Sequence, residues 1–352
     1  MHVTSSFRGA GRLAVTTLAV MLPAALLLSG CAPDKPAPSP KASASARESK
    51  RVTPDPTELA PLRGTSVPVG SLAHPSLAVK IDNHEAARPQ LALERTDLVY
   101  EELVEGGLTR YVAVWQSDVP DLLGPIRSIR PMDPDIITPL GGIVAYSGGQ
   151  EQFVGMMQAT GLVNAVFDYD DSGLFYRLDD RDSPHDVVVK ASELVGQHSD
   201  LSAPAAQFEY SATPAAASAG VAGTSVATIK TAFSDARWPS WTWDAPAAAY
   251  LRSQEGAPDL DTSGAQLKAT NVVVMRVEID WRYGEVPKTT MIGSGEAWVS
   301  AGGKTVHATW SKDAQTAPVR LVDDSGVTIR LAAGNTWIEL VPGGQGSVEL
   351  VP

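Results

Sequence analysis

Glu101, Glu102 and Glu105 crowd into one short stretch, and Arg127 and Arg130 stand three apart in the loop GPIRSIRP (124–131). Carboxylates at this density can act as general acid and base on a glycosidic bond, with Glu102 and Glu105 as the candidates. Two guanidiniums in a proline-bounded loop can grip a phosphate or a carboxylate bidentately. The same groups can instead neutralise one another, the acids pairing with Arg110, Arg127 and Arg130. His185 follows Pro184 and precedes Asp186, with Arg177 and Arg181 upstream. Its imidazole is a candidate base or ligand-orienting group, and equally a structural histidine. Asp82 and Asn83 end an apolar run, where side chains reach a crevice at strand ends. The candidate ligand-binding set is therefore Asp82, Asn83, Arg110, Arg127, Arg130, Arg181 and His185.

Other patterns carry less. Gly148-Gly149 precede a helical stretch and offer backbone N–H groups to an anion. Asp168, Asp170, Ser172, Gly173 and Asp179 fall at positions 1, 3, 5, 6 and 12 of an EF-hand loop. Gly161 before the loop and Ser183-Pro184 after it oppose the flanking helices such a loop needs, so no metal is assigned. Trp238, Trp241 and Trp243 can form a sugar-stacking platform or fill a core. Tyr146-Ser147-Gly148 lacks the Gly-x-Ser-x-Gly frame of a serine hydrolase. No His-Glu-x-x-His, Walker loop or dinucleotide fingerprint is present, and no cofactor is expected.

The elements that must position these residues follow from periodicity. Residues 71–82 read as a strand, 89–95 as a short helix, and 98–116 as two strands turning at Gly106-Gly107. On that strand pattern Glu101 and Glu105 share one face and Glu102 takes the other. Residues 141–149 read as a buried strand, 151–161 as a helix stopped by Gly161, and 185–197 as a strand followed by a helix capped by Ser192. The spacing thus predicts an N-terminal α/β domain over 61–200. A low-complexity linker or loop covers 201–223, whose Phe208 and Tyr210 are expected to dock on a domain. A smaller, mainly antiparallel β-domain over 224–352 turns at Gly302-Gly303, Asp324-Ser325-Gly326 and Gly334-Asn335. The fold class expected is α+β, or mixed.

The segments IDNHEAARPQLAL (81–93), DLVYEELVEGGLTRYVAVWQ (97–116), GPIRSIRP (124–131) and SPHD (183–186) resemble the YerB-like bacterial lipoproteins. GSGEAWVSAGGKTVHATW and LAAGNTWIELVP are similar to that family's second domain. The resemblance implies a lipid-anchored, two-domain envelope protein whose activity is not established. Asp186 stands where the family tends to have Asn, which puts in doubt any role needing the amide.

The N-terminus carries the matching address. Arg8 and Arg12, an apolar run from Leu13 to Leu28 and a closing Leu28-Ser29-Gly30-Cys31 have the layout of a secretory signal over 1–30. The ending resembles the bacterial lipobox, which implies lipid on Cys31, the chain's one cysteine. Several acyl chains anchor stably, each buried CH2 contributing about 0.8 kcal/mol. The expected site is the outer face of the cytoplasmic membrane, with 31–60 as a disordered tether reaching on the order of 30 Å. Without the two signal arginines the formal charge falls from −12 to −14, which argues against nucleic acid as a partner. Three functions stay open: binding of an anionic or glycan wall ligand, acid–base hydrolysis or transfer on a wall polysaccharide or phosphodiester, and a protein-interaction module.

Overall fold

The computed structural model describes residues 55–352; Cys31, the signal and most of the expected tether lie outside them. Eleven strands build one large sheet: β1 (Leu77–Asp82), β2 (Leu98–Leu103), β3 (Thr109–Trp115), β4 (Ile143–Tyr146), β5 (Val163–Val166), β6 (Thr224–Ser225), β7 (Asn271–Val277), β8 (Gly293–Ala301), β9 (Lys304–Lys312), β10 (Arg320–Asp323) and β11 (Thr336–Pro342). Their lateral order is β6-β9-β8-β7-β11-β2-β3-β1-β4-β5, with β10 also on β9. β1–β3 and β2–β3 pair antiparallel, whereas β1–β4 and β4–β5 are parallel.

β11 departs from the expected run of antiparallel hairpins. After Gly334-Asn335 the chain does not fold back on itself; β11 inserts between β7 and β2 and pairs parallel with both. It can do so because its seven residues are all buried, as are those of β3. A strand covered on both faces reads as a continuous buried run and suits a central parallel position. Hydrogen bonding therefore passes without a break from the N-terminal part of the chain into the C-terminal part.

The fold is mainly β, which corrects the α/β reading of 61–200. The helices Glu151–Gln158 and Ala191–Gln197 are present, but 89–95 supplies only the 3-10 turn Leu93–Arg95. Ser192 does not cap Ala191–Gln197; it lies inside that helix and its hydroxyl donates to Asp121. The two faces of the sheet make two cores. On one, Ala78, Tyr100, Val112, Tyr146, Met275 and Ile338 pack with Ile136, Phe153 and Met157 from the short helices. On the other, Val79, Val99, Tyr111 and Trp337 pack with Ile229, Trp241 and Tyr250 of a second, six-stranded sheet. That face is covered largely by strands, which is why α/β periodicity is not the organising pattern.

The segment before β1 forms the hairpin Thr57–Leu59 with Ser66–Pro68, so residues 57–59 of the expected tether are paired strand. The low-complexity stretch docks as expected. Glu209–Ser211 pairs parallel with Arg330–Ala332, Phe208 packs on the core, and the Tyr210 hydroxyl donates to the Leu62 carbonyl at 2.7 Å.

Candidate functional site

Strand alternation sorts the polar residues onto opposite faces. Lys80, Asp82, Glu102 and Arg110 point to one face, where cross-strand register sets Arg110 opposite both Asp82 and Glu102. The loop 124–131 closes over them. Its backbone continues the sheet beside the end of β1, with Asp82 N–H donating to Pro125 O and Arg127 N–H to Lys80 O. That register brings Arg127 and Arg130 to the same end.

Around this end, four cations and four carboxylates meet. Lys80 is wholly buried between Glu102 and Asp133, 2.7 Å from the latter, and burial lowers its pKa to about 8 against the pull of Asp133. Arg127 Nε lies 3.2 Å from Asp82 Oδ2, and Arg130 Nε donates to Glu105 Oε2 at 2.7 Å. Burial raises the Glu105 pKa, but the hydrogen bond and charge of Arg130 outweigh it, leaving it below the ordinary carboxylate value. Lys80 thus takes two acids and Arg110 is left with none. Among the described residues Arg110 makes no ion pair; its Nη1 donates only to the Ser128 carbonyl, at 2.9 Å. Burial, then the charges of Arg130 and Arg127, push its pKa down to about 9. Arg130 donates to the same carbonyl at 3.3 Å, so two guanidiniums share one oxygen.

His185 completes the cluster. Its Nδ1 is 2.6 Å from Asp82 Oδ2, and its ring stacks on His84 with centroids 4.4 Å apart. A carboxylate only accepts, so the neutral ring holds its proton on Nδ1 and leaves Nε2 bare. Nε2 has no partner among the described residues, and 14% of the side chain is exposed. Asp82, Arg110, Arg127, Arg130, Glu105 and His185 therefore do converge.

Two expected residues do not join them. Asn83 points to the opposite face, donating to Thr109 Oγ1 at 2.8 Å and accepting from Arg88 Nε at 3.0 Å. Arg181 clamps the 84–91 loop through the carbonyls of Ala87 and Pro89, at 2.8 and 2.7 Å. Glu102 is sealed under Lys80 with no exposure, and Glu105 leaves the strand for the turn 105–107, so it no longer shares a face with Glu101. Asp186 accepts from Arg177 at 2.6 Å, a contact that uses the carboxylate charge.

Behind the sheet lies a second polar cluster that sequence reasoning missed. Arg252 ion-pairs with Glu101 and, at 2.5 Å, with Asp259, while its guanidinium faces Tyr111, Trp241 and Trp337 at 5.0–5.6 Å. Trp241 Nε1 donates to Glu339 at 2.7 Å. Burial, then repulsion from Glu101, hold Glu339 well above the ordinary carboxylate pKa. Trp241 is thus a core residue, whereas Trp238 is 46% exposed, so the three tryptophans form no common platform. The acidic stretch 168–179 follows β5 and itself contains the strand Phe175–Arg177; Asp170 turns inward to the N–H groups of Ser172 and Phe175.

Residues 64–204 match the family described as "Protein of unknown function (DUF3048) N-terminal domain", and 229–338 match its C-terminal domain. A curated relative from Bacillus subtilis (strain 168), "Putative lipoprotein YerB", is 27% identical over 302 residues, covering 80% of this chain and 86% of the relative. The crystal structure of YerB protein from Bacillus subtilis is similar in fold, with a TM-score of 0.71 at 21% identity, covering 83% of this chain and 99% of that one. With both halves matched in order, the chain belongs to the two-domain YerB-like family of unknown function.

Proposed function

We propose that this protein is an extracytoplasmic lipoprotein, held at the membrane through Cys31, that binds an anionic ligand of the cell wall where the end of β1 lies beside the start of β3. The observation that carries the reading is Arg110. Burying a cation without a counter-ion costs several kcal/mol, and the four nearby carboxylates are directed to Lys80, Arg127, Arg130 and His185 instead. A ligand phosphate or carboxylate would supply the missing partner, with Arg127 and bare His185 Nε2 at the rim. Isothermal titration of the protein with a polyol-phosphate polymer, beside a neutral glycan, tests it. Binding of the polyanion that is lost in Arg110→Gln and Arg127→Gln supports the reading; equal binding by all three proteins sinks it.

A second reading, hydrolysis or transfer on a phosphodiester or wall polysaccharide, is favoured by the Asp82–His185 contact, which orients an imidazole with a free nitrogen as a general base requires. Unchanged products after incubation of purified wall with the protein across pH 5–9 would remove it.

A further inference from the structure

The ends of the sheets differ in how they are protected. Free edges invite pairing with another chain, and folded proteins usually blunt them with charge, proline or shortness. β6, at one end of the large sheet, is two residues long. In the six-stranded sheet the edge Ala257–Pro258 ends in proline, Lys268–Ala269 carries a lysine, and Ser347–Val351 carries Glu349 paired with Lys230. β5, at the other end of the large sheet, has none of these: it reads Val163-Asn164-Ala165-Val166 and pairs only with β4.

The register tells which of its backbone groups are free. Val163 N–H donates to Gly142 O, and alternation along a parallel pair turns Ala165 the same way. The N–H and C=O of Asn164 and the N–H of Val166 therefore face away from β4, while the Val166 carbonyl stands at the N-cap of the 3-10 turn Phe167–Tyr169. Beside them runs a groove of about 260 Å³ whose wall includes Leu174, Phe175 and Leu194, with Tyr169 at its margin. Asp168 and Asp171 are exposed next to it and Asp170 lines it.

We infer that β5 is a docking edge for an extended, basic segment of another protein, which adds a strand, places an apolar side chain in the groove and sets cations against the Asp168–Asp171 loop. A second copy of this chain is disfavoured as the occupant. Edge-to-edge pairing would bring two acidic loops together on molecules already carrying −12.

The test uses a synthetic peptide of alternating valine and threonine flanked by lysines, titrated into the folded protein by fluorescence anisotropy. Hydrogen exchange at Asn164 and Val166 should slow on binding, while the amide of Ala165, already bonded to β4, should not change. Asn164→Pro removes one outward N–H without touching the β4 ladder and should weaken binding about tenfold or more; Asn164→Ala, which keeps it, should stay within about threefold. Methylating the peptide's own amides tests the same contact if Asn164→Pro does not fold. Flanking glutamates in place of lysines should weaken binding, and Asp168→Asn with Asp171→Asn should erase that difference. Unaltered exchange at Asn164 and Val166, equal binding by the methylated peptide, or a concentration-dependent dimer blocked by Asn164→Pro would each overturn the proposal.

Discussion

Nδ1 of His185 stands 2.6 Å from Oδ2 of Asp82, a contact between residues 103 apart in the chain. As an acceptor for Nδ1–H, Asp82 favours one tautomer of the neutral ring, with Nε2 unprotonated. Asp82→Asn replaces an obligate acceptor with an amide that can also donate, so the neutral ring should no longer favour the Nδ1–H form. Long-range nitrogen–proton NMR of the imidazole reads this directly; an unchanged tautomer would show that Asp82 does not orient His185.

Arg110 should lower the stability of the ligand-free protein. Folding drops its pKa to about 9, so the unfolded chain holds this proton more tightly. The penalty is complete below pH 9 and disappears as pH rises toward the ordinary arginine range. Arg110→Met should raise stability at pH 7 by about 1–4 kcal/mol while abolishing anion binding. Urea unfolding at pH 7 and pH 10 measures both parts, and the gain should shrink at the higher pH.

Lys80 has the opposite role. Lys80→Met leaves Glu102 and Asp133 buried without a counter-charge and should cost about 3–5 kcal/mol. Adding Glu102→Gln and Asp133→Asn should recover part of that loss, because neutral amides tolerate burial better than unpaired carboxylates. Denaturant melts of the single and triple variants test the coupling.

Glu339 makes stability fall as pH rises. Its folded pKa lies well above the ordinary value, so the folded state keeps a proton that the unfolded chain releases near pH 4.5. Stability from this group is complete below that pH and is lost as pH climbs toward the folded pKa. Glu339→Gln keeps an acceptor for Trp241 and should flatten the profile, equalling or exceeding the parent above pH 7. Glu339→Leu leaves the Trp241 N–H without its acceptor and should cost about 1–3 kcal/mol.

Cys31→Ser should move the protein from the membrane fraction to the soluble extracytoplasmic fraction without changing its melting temperature, as shown by fractionation and calorimetry. Retention in the membrane would assign the attachment elsewhere.

Much of the local structure was legible before any coordinates. The Gly106-Gly107 turn, the buried strand before Ser147 and the helix from Glu151 all follow from short-range pattern, because turn chemistry and burial period act over a few residues. Asp82, Arg127, Arg130 and His185 were also legible as polar groups at expected strand ends. The sequence determined by itself the hairpins at Gly106-Gly107 and Gly302-Gly303 and which polar residues sit where strands stop, but not the fate of the chain after Gly334-Asn335. Only the tertiary structure decided their partners: that β11 would enter the sheet parallel to β2, that Lys80 would take Glu102 and Asp133, and that Arg252 would meet Glu101. These choices join residues as many as 238 positions apart, as in the pairing of Thr336 with Leu98. Alternation assigns a face to a side chain, but which strand lies alongside is set by burying all the strands at once. That global packing is what directs every nearby carboxylate to another partner and leaves Arg110 without one.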